Sequence, residues 1–260
     1  MRKLLLILLL FPLFSFGQHH MMHTLAGQDA GGTTLKTDLI SVWEFNETSG
    51  TDVFDAFASN DGVNTGTATV NQTGVTNLTP AYDFDGTNDY IDINAKVVSS
   101  FPMSFSCWFK MDITSIQTVI CTNNSANYGG IWVGFDNTRI VVQYGDGTGL
   151  DAADRRSYDY NTTLSTGTWY NLVVTATDYT SANTKVYINT SEISFSSGSG
   201  TATSVDWSIG ESLLCSNWAN ATNWRFNGIL DQTGLWSKIL SSDEVSTLYN
   251  SGNGLAYVNW

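Results

Sequence analysis

The 260-residue sequence predicts an all-β fold, two antiparallel sheets stacked as a sandwich in one domain, and three observations carry that expectation. Short apolar or alternating runs recur about every 10–15 residues, the spacing of strands separated by turns. The runs are rich in β-branched and aromatic residues and are bounded by Gly, Asn, Asp and Ser clusters. No Pro-rich or repeated Ser/Gly linker divides the body, and this length suits a single large sandwich.

Residues 1–17 read as a cleaved secretory signal peptide: Arg2 and Lys3, an apolar run from Leu4 to Phe14, then Ser15 and Gly17 ahead of Gln18. The run is shorter than the ~20 apolar residues needed to cross a bilayer. Residues 18–38 read as a flexible leader that carries all three histidines, His19, His20 and His23. The body, 39–260, therefore holds no histidine, which removes Ser-His-Asp, Cys-His and the usual zinc constellations from it. The expected location is secreted or at the cell surface.

Within the body, strands are expected at 40–45, 82–84, 90–93, 101–111, 117–121, 130–135, 139–144, 169–177, 184–188, 205–209 and 226–236. Along 101–111 the alternation places Met103, Phe105, Cys107, Phe109 and Met111 on a core face, with Trp108 the one large residue opposite. The Asp85-Gly86 pair between apolar positions signals a hairpin over 83–91. Residues 46–79 form a long loop that needs packing or an ion to order it. Ser241, followed by Asp243 and Glu244, announces a short helix to about Tyr249.

Charge narrows the function. The chain has 24 acidic and 11 basic residues, a net charge of -13, and only 13% charged residues, about half the ~25% of an average soluble domain. Lys and Arg are too few and too scattered to neutralise phosphates or anionic lipid, so nucleic acid and membrane surfaces are excluded as partners, and no later segment is long enough to span a bilayer. Neutral ligands, cations or proteins remain.

The ordered set of motifs is similar to bacterial LamG-like domains. It comprises Trp43-Glu44-Phe45-Asn46-Glu47-Thr48-Ser49-Gly50, Asp55, Asn60-Asp61-Gly62, Phe84-Asp85-Gly86-Thr87-Asn88-Asp89-Tyr90-Ile91, and Ser104-Phe105-Ser106-Cys107-Trp108-Phe109-Lys110. It continues with Trp169-Tyr170-Asn171-Leu172-Val173-Val174-Thr175, Lys185-Val186-Tyr187-Ile188-Asn189, and the stretch from Phe226 through Asp231 and Trp236 to Tyr249. The resemblance covers residues 39 to about 255 and implies a laminin G, concanavalin A-like jelly roll with one short C-terminal helix. Thr190 departs from it, since the family usually has Gly there. The resemblance also implies a structural calcium held by Asp231 with Asp55 or Asp61.

Jelly-roll hydrolases need two carboxylates across the scissile bond. The nearest pair, Glu44 and Glu47, falls on opposite faces of an extended chain, so a non-catalytic domain is expected. Binding asks for aromatic faces and planar amides. Two loops offer both: Asn123, Asn124, Asn127 and Tyr128 with Trp132, and Asn217, Trp218 and Asn220 with Trp224. They are expected to form a rim at one end of the sandwich, against the alternative that the tryptophans are core and the asparagines turn formers. Tyr144, Asp146, Asp154, Arg155 and Arg156 form a third polar group, whose arginines either contact an acidic ligand or pair with the nearby aspartates. Cys107 reads as a buried thiol, while Cys121 and Cys215 could form a disulfide across the rim. The leading expectation is an exported module recognising carbohydrate or a cell-surface protein. The second is a structural or adhesive subunit of a surface or virion appendage that self-assembles, and the third, disfavoured, is a glycoside hydrolase.

Overall fold

The computed structural model describes residues 34–122, 127–208, 210–216 and 223–260; the expected signal peptide and the histidines lie outside them. Seventeen strands follow in chain order. The first six are β1 Leu39–Trp43, β2 Asp52–Val53, β3 Gly62–Thr65, β4 Thr69–Gln72, β5 Ala81–Asp85 and β6 Tyr90–Asp92. The next six are β7 Met103–Met111, β8 Gln117–Cys121, β9 Gly129–Phe135, β10 Arg139–Asp146, β11 Arg155–Asn161 and β12 Tyr170–Ala176. The last are β13 Thr184–Ile188, β14 Ser191–Ile193, β15 Ser197–Gly200, β16 Leu213–Leu214 and β17 Asn227–Trp236, before helix α1, Ser242–Tyr249.

The strands form two antiparallel sheets. One has the order β14-β13-β12-β7-β17-β5-β4, with β1 also on β17; the other runs β15-β11-β10-β9-β8-β16-β6-β3-β2. The jelly-roll sandwich expected from the motifs is thus present. Between the sheets lies the main core, to which Met103, Phe105, Cys107, Phe109 and Met111 of β7 all contribute, as their alternation predicts.

The eight-stranded sheet is covered on its outer side as well. Trp236 stacks on Trp260 at 5.3 Å between ring centroids, among Val42, Leu240, Val245 and Leu248. Trp108 packs on Val75 and Leu78 and stacks on Tyr249 at 5.6 Å. Helix α1 starts as expected: Ser241 accepts from the Glu244 N–H, and the Glu244 carboxylate accepts from the Ser241 N–H. Both covering clusters lie on this sheet. Among the described residues no second apolar cluster covers the outer face of the nine-stranded sheet.

Several expectations are corrected. The body starts before residue 39: Leu35 is fully buried, its carbonyl accepts the Trp236 indole N–H, and Thr34 meets Glu244. Residues 83–91 are not a hairpin, because β5 and β6 belong to different sheets. The Asp85 carboxylate instead accepts the Thr87 and Asn88 N–H groups, turning the chain from one sheet to the other. Segment 46–79 contains β2, β3 and β4, whereas the described residues 205–208 form no strand. The β13–β14 hairpin forms despite Thr190, with Asn189 taking the positive φ.

A bulge in β17 between Asp231 and Gly234 presents two successive polar side chains to the covering layer. Asp231 accepts the Val75 N–H at 3.0 Å and the Gln232 N–H at 2.8 Å. Gln232 donates to the Leu255 carbonyl and accepts from the Tyr257 N–H, both at 2.9 Å. One residue anchors the 73–79 loop, and the other anchors the C-terminal tail.

Candidate functional site

The sequence-expected aromatics among the described residues meet on the outer face of the nine-stranded sheet. In β9, Ile131, Val133 and Phe135 point into the core, so Trp132 and Gly134 point outward. A methyl group at Gly134 would come within 2.4 Å of Trp132 Cη2, so the indole lies along the sheet above this glycine. Its N–H donates to Thr118 Oγ1 at 2.9 Å. Trp224 approaches from the irregular segment leading into β17; its carbonyl accepts the Thr118 N–H, and its ring lies 5.8 Å from that of Trp132. Trp224 is 40% exposed. Trp132 is half-buried. The rings are a surface pair and not core.

Polar groups continue the row across the sheet. Gln143 of β10 is the register partner of Trp132 on one side and of Ser157 of β11 on the other, and Ser157 faces Ser199 of β15. Arg155 Nη1 donates to Gln143 Oε1 at 3.2 Å, and its guanidinium lies 5.3 Å from the Tyr128 ring centroid. Asn127 donates from Nδ2 to the Gly147 carbonyl beside it. This places the Trp132, Trp224 and Tyr128 rings, the Gln143 amide, the Arg155 guanidinium and the Ser199 hydroxyl on one face, with Ser157 buried in the row.

Of the expected rim, Trp132 stands on a sheet face, because it occupies the middle of a strand and not its loop. Asn127, Tyr128, Trp132 and Trp224 are brought near this surface. Asn123, Asn124, Asn217, Trp218 and Asn220 lie outside the described residues. Of the third polar group, Tyr144 is buried with its hydroxyl 2.7 Å from Thr184 Oγ1, and only Arg155 joins the face.

The cysteines do not form the expected bridge; all three are buried thiols. Cys121 is the register partner of Leu213 and Trp132. Cys215 lies two residues beyond Leu213, opposite Val119, and packs in the inter-sheet core with Cys107. Diagonal positions on neighbouring strands are about 7–8 Å apart, well beyond the ~4 Å Cβ separation of a disulfide. Burial pushes the Cys107 and Cys215 thiols well above their ordinary value.

The aspartates expected to hold calcium accept backbone N–H groups. Asp55 uses Oδ1 to accept the Val42 and Phe57 N–H groups and Oδ2 to accept that of Asn60, while Asp61 accepts the Asp55 N–H. Asp231 is two positions along β17 from Thr233, the partner of Trp43, and its oxygens face N–H donors of its own. Calcium coordination needs six to eight oxygens converging on one point, and no group of three or more metal-ligating side chains occurs among the described residues. These N–H contacts tie the 46–79 loop to β1.

One feature escaped the sequence. Phe45 has a φ of 55°, and this kink after β1 brings Glu44, Asn46 and Glu47 to one cleft of about 240 Å³, lined also by Phe54 and Ala56. The expectation that Glu44 and Glu47 diverge assumed an extended chain and is corrected. Glu47 accepts the Phe54 N–H and the Tyr82 hydroxyl. Burial raises the Glu44 carboxyl above its ordinary value, opposed by the Tyr257 N–H and reinforced by the charge of Glu47. An aromatic residue in the left-handed region leaves no sequence signal.

Comparisons with known proteins agree with this architecture. The Laminin_G_3 family, described as the Concanavalin A-like lectin/glucanases superfamily, matches residues 85–246. No curated protein matches the chain. Among solved structures, the botulinum neurotoxin serotype D binding domain aligns with a TM-score of 0.59 at 16% identity, covering 84% of this chain and 53% of that one. A Trypanosoma rangeli sialidase mutant displaying trans-sialidase activity gives 0.62 at 13%, covering 87% and 35%. Domain 4 of an extracellular GH43 arabinanase from Geobacillus stearothermophilus, in complex with arabinotriose, gives 0.51 at 18%, covering 80% and 97%. The chain spans about half the length of the neurotoxin binding domains it matches. At these identities the structural likeness shows the fold alone. With the family match extending over more than half of its residues, the chain belongs to the concanavalin A-like lectin/glucanase superfamily.

Proposed function

We propose that the protein is an exported, non-catalytic binding module that takes a carbohydrate on the outer face of the nine-stranded sheet. The supporting observation is the half-buried Trp132 indole lying along the sheet over Gly134, with Trp224 beside it and Gln143 next in register. A sugar ring presents an apolar C–H face to an indole and its hydroxyls to planar amides and side-chain hydroxyls. The arabinotriose held by the arabinanase domain is a precedent within the same fold. A hydrolytic reading has Glu44 and Glu47 in one cleft in its favour, yet both oxygens of Glu47 already accept hydrogen bonds. The cleft fits ligand contact better than nucleophilic or acid–base work.

Affinity electrophoresis and thermal shift against a panel of soluble polysaccharides test the proposal. The wild type is expected to be retarded by at least one polymer, and Trp132→Ala to lose the retardation with its melting temperature within a few degrees of wild type. Equal retardation of both proteins by every polymer bound would overturn it. A wild type that instead forms oligomers on sizing and ignores all polymers would favour an assembly subunit.

A further inference from the structure

We propose that the ligand of this sheet face is an acidic saccharide, with Arg155 receiving its carboxylate; the inference rests on the carbohydrate reading and names its substrate class. The protein carries a net charge of -13, yet a guanidinium outside the ion pairs of the described residues stands on the same face as the aromatic platform. Among the described residues, the ion pairs engage Arg139 with Asp136 and Asp159, Lys185 with Glu192, and Lys238 with Glu244. Arg155 is in none of them. The neighbouring Arg156 donates from Nε to the Ala202 carbonyl. The nearby Asp154 turns away from Arg155, accepting instead from Thr148 and from the Asp151 N–H.

Arg155 is nevertheless held in place. Nη1 donates to Gln143 Oε1 at 3.2 Å, the Tyr128 ring lies 5.3 Å from the guanidinium carbon, and the buried Nε has no acceptor among the described residues. The guanidinium is thus oriented by neutral neighbours and not neutralised. Orienting a planar cation with an amide and an aromatic face preserves its charge for an incoming anion, and carboxylates match the guanidinium fork in two-point geometry.

Position completes the argument. Gln143 is the register partner of Trp132, one strand spacing of about 4.8 Å away, and it is also the residue that holds Arg155. Gln143 thus stands between Trp132 and Arg155, so an acidic oligosaccharide with one ring on the indole reaches the guanidinium across Gln143 with the carboxylate of a neighbouring unit. The acidic protein repels polyanions in general, so retention of one requires a local site.

The probes are polygalacturonate and its carboxyl-reduced, neutral counterpart, used with the full chain and the variants Arg155→Gln and Trp132→Ala, each checked by thermal melting. The expected result is binding to polygalacturonate, weaker by at least ten-fold for the reduced polymer and for Arg155→Gln, and abolished in Trp132→Ala. Charge-assisted hydrogen bonds of about 1.5–3 kcal/mol correspond to that range of about ten- to a hundred-fold. If the neutral polymer binds as well as the acid, and Arg155→Gln matches wild type while Trp132→Ala fails, the acidic class is overturned and the carbohydrate platform stands. If Trp132→Ala retains full binding, or neither polymer is retained, the inference is overturned; in the first case the platform falls with it, and in the second the wider polysaccharide panel decides the platform separately.

Discussion

Asp231 makes stability depend on pH in a direction opposite to that of most carboxylates. Its side chain is fully buried. Burial raises its pKa from 3.8 to about 8, although the N–H groups of Val75 and Gln232 pull it down, and the charge of Glu44 adds to the rise. The folded protein therefore keeps a proton that the unfolded chain releases near pH 4, and unfolding between about pH 4 and 8 expels one proton. Its contribution is complete below the unfolded pKa and is lost as pH rises through the folded one. One proton sets a slope of about 1.4 kcal/mol per pH unit, or roughly 2.7 kcal/mol from pH 5 to 7. Asp231→Asn cannot titrate. At pH 5 it should be less stable than wild type by about 1–3 kcal/mol, because an amide N–H₂ faces one of the backbone N–H donors. Urea unfolding of both proteins at pH 5, 6, 7 and 8, at constant ionic strength, reads the difference. The wild-type advantage should shrink by about 2–3 kcal/mol between pH 5 and 7 and then level near pH 8. A difference constant to within about 0.5 kcal/mol would show that Asp231 titrates like an exposed aspartate, and the reasoning would fail.

Three other outcomes follow from the same geometry. Gly134→Ala should lift Trp132 off the sheet and destabilise the fold by about 1–3 kcal/mol, since the added methyl also comes within 2.5 Å of the Gln117 carbonyl; chemical denaturation and indole fluorescence measure both effects. Calcium and chelator should leave the melting temperature unchanged, as the aspartate oxygens are already filled by N–H donors; a rise of several degrees with calcium would restore the ion expected from the motifs. Ser241→Ala should cost about 1 kcal/mol through loss of the α1 cap, seen as a lower urea midpoint at unchanged slope.

The long regular elements were legible because their patterns repeat often enough to be unambiguous: nine residues of alternation in β7, and a capping box ahead of α1. Strands β2, β3 and β4 were hidden because each has only two to four residues and half or more of these are polar. Strand β11 reads as a charged loop from its Arg155-Arg156 start, yet Tyr158 and Tyr160 carry it into the core. At the site, the residue types were readable from Trp132, Trp224 and Tyr128, while their placement on a sheet face depended on strand register. The Glu44 and Glu47 cleft was invisible because it hangs on one backbone angle at Phe45, and the failed disulfide turned on a two-residue offset between β8 and β16.

Strand β17 is last in the chain yet central in its sheet, touching β1, β5 and β7 at once. Leu39 finds its partner only at Trp236. On the ribosome, β1 and β5 accordingly wait for the final strand before their ladders can close, and contacts of such long sequence separation are slow to form. The centre of the eight-stranded sheet therefore closes only after nearly the whole domain has been synthesised, whereas its β7-β12-β13-β14 part and the nine-stranded sheet need no ladder to β17.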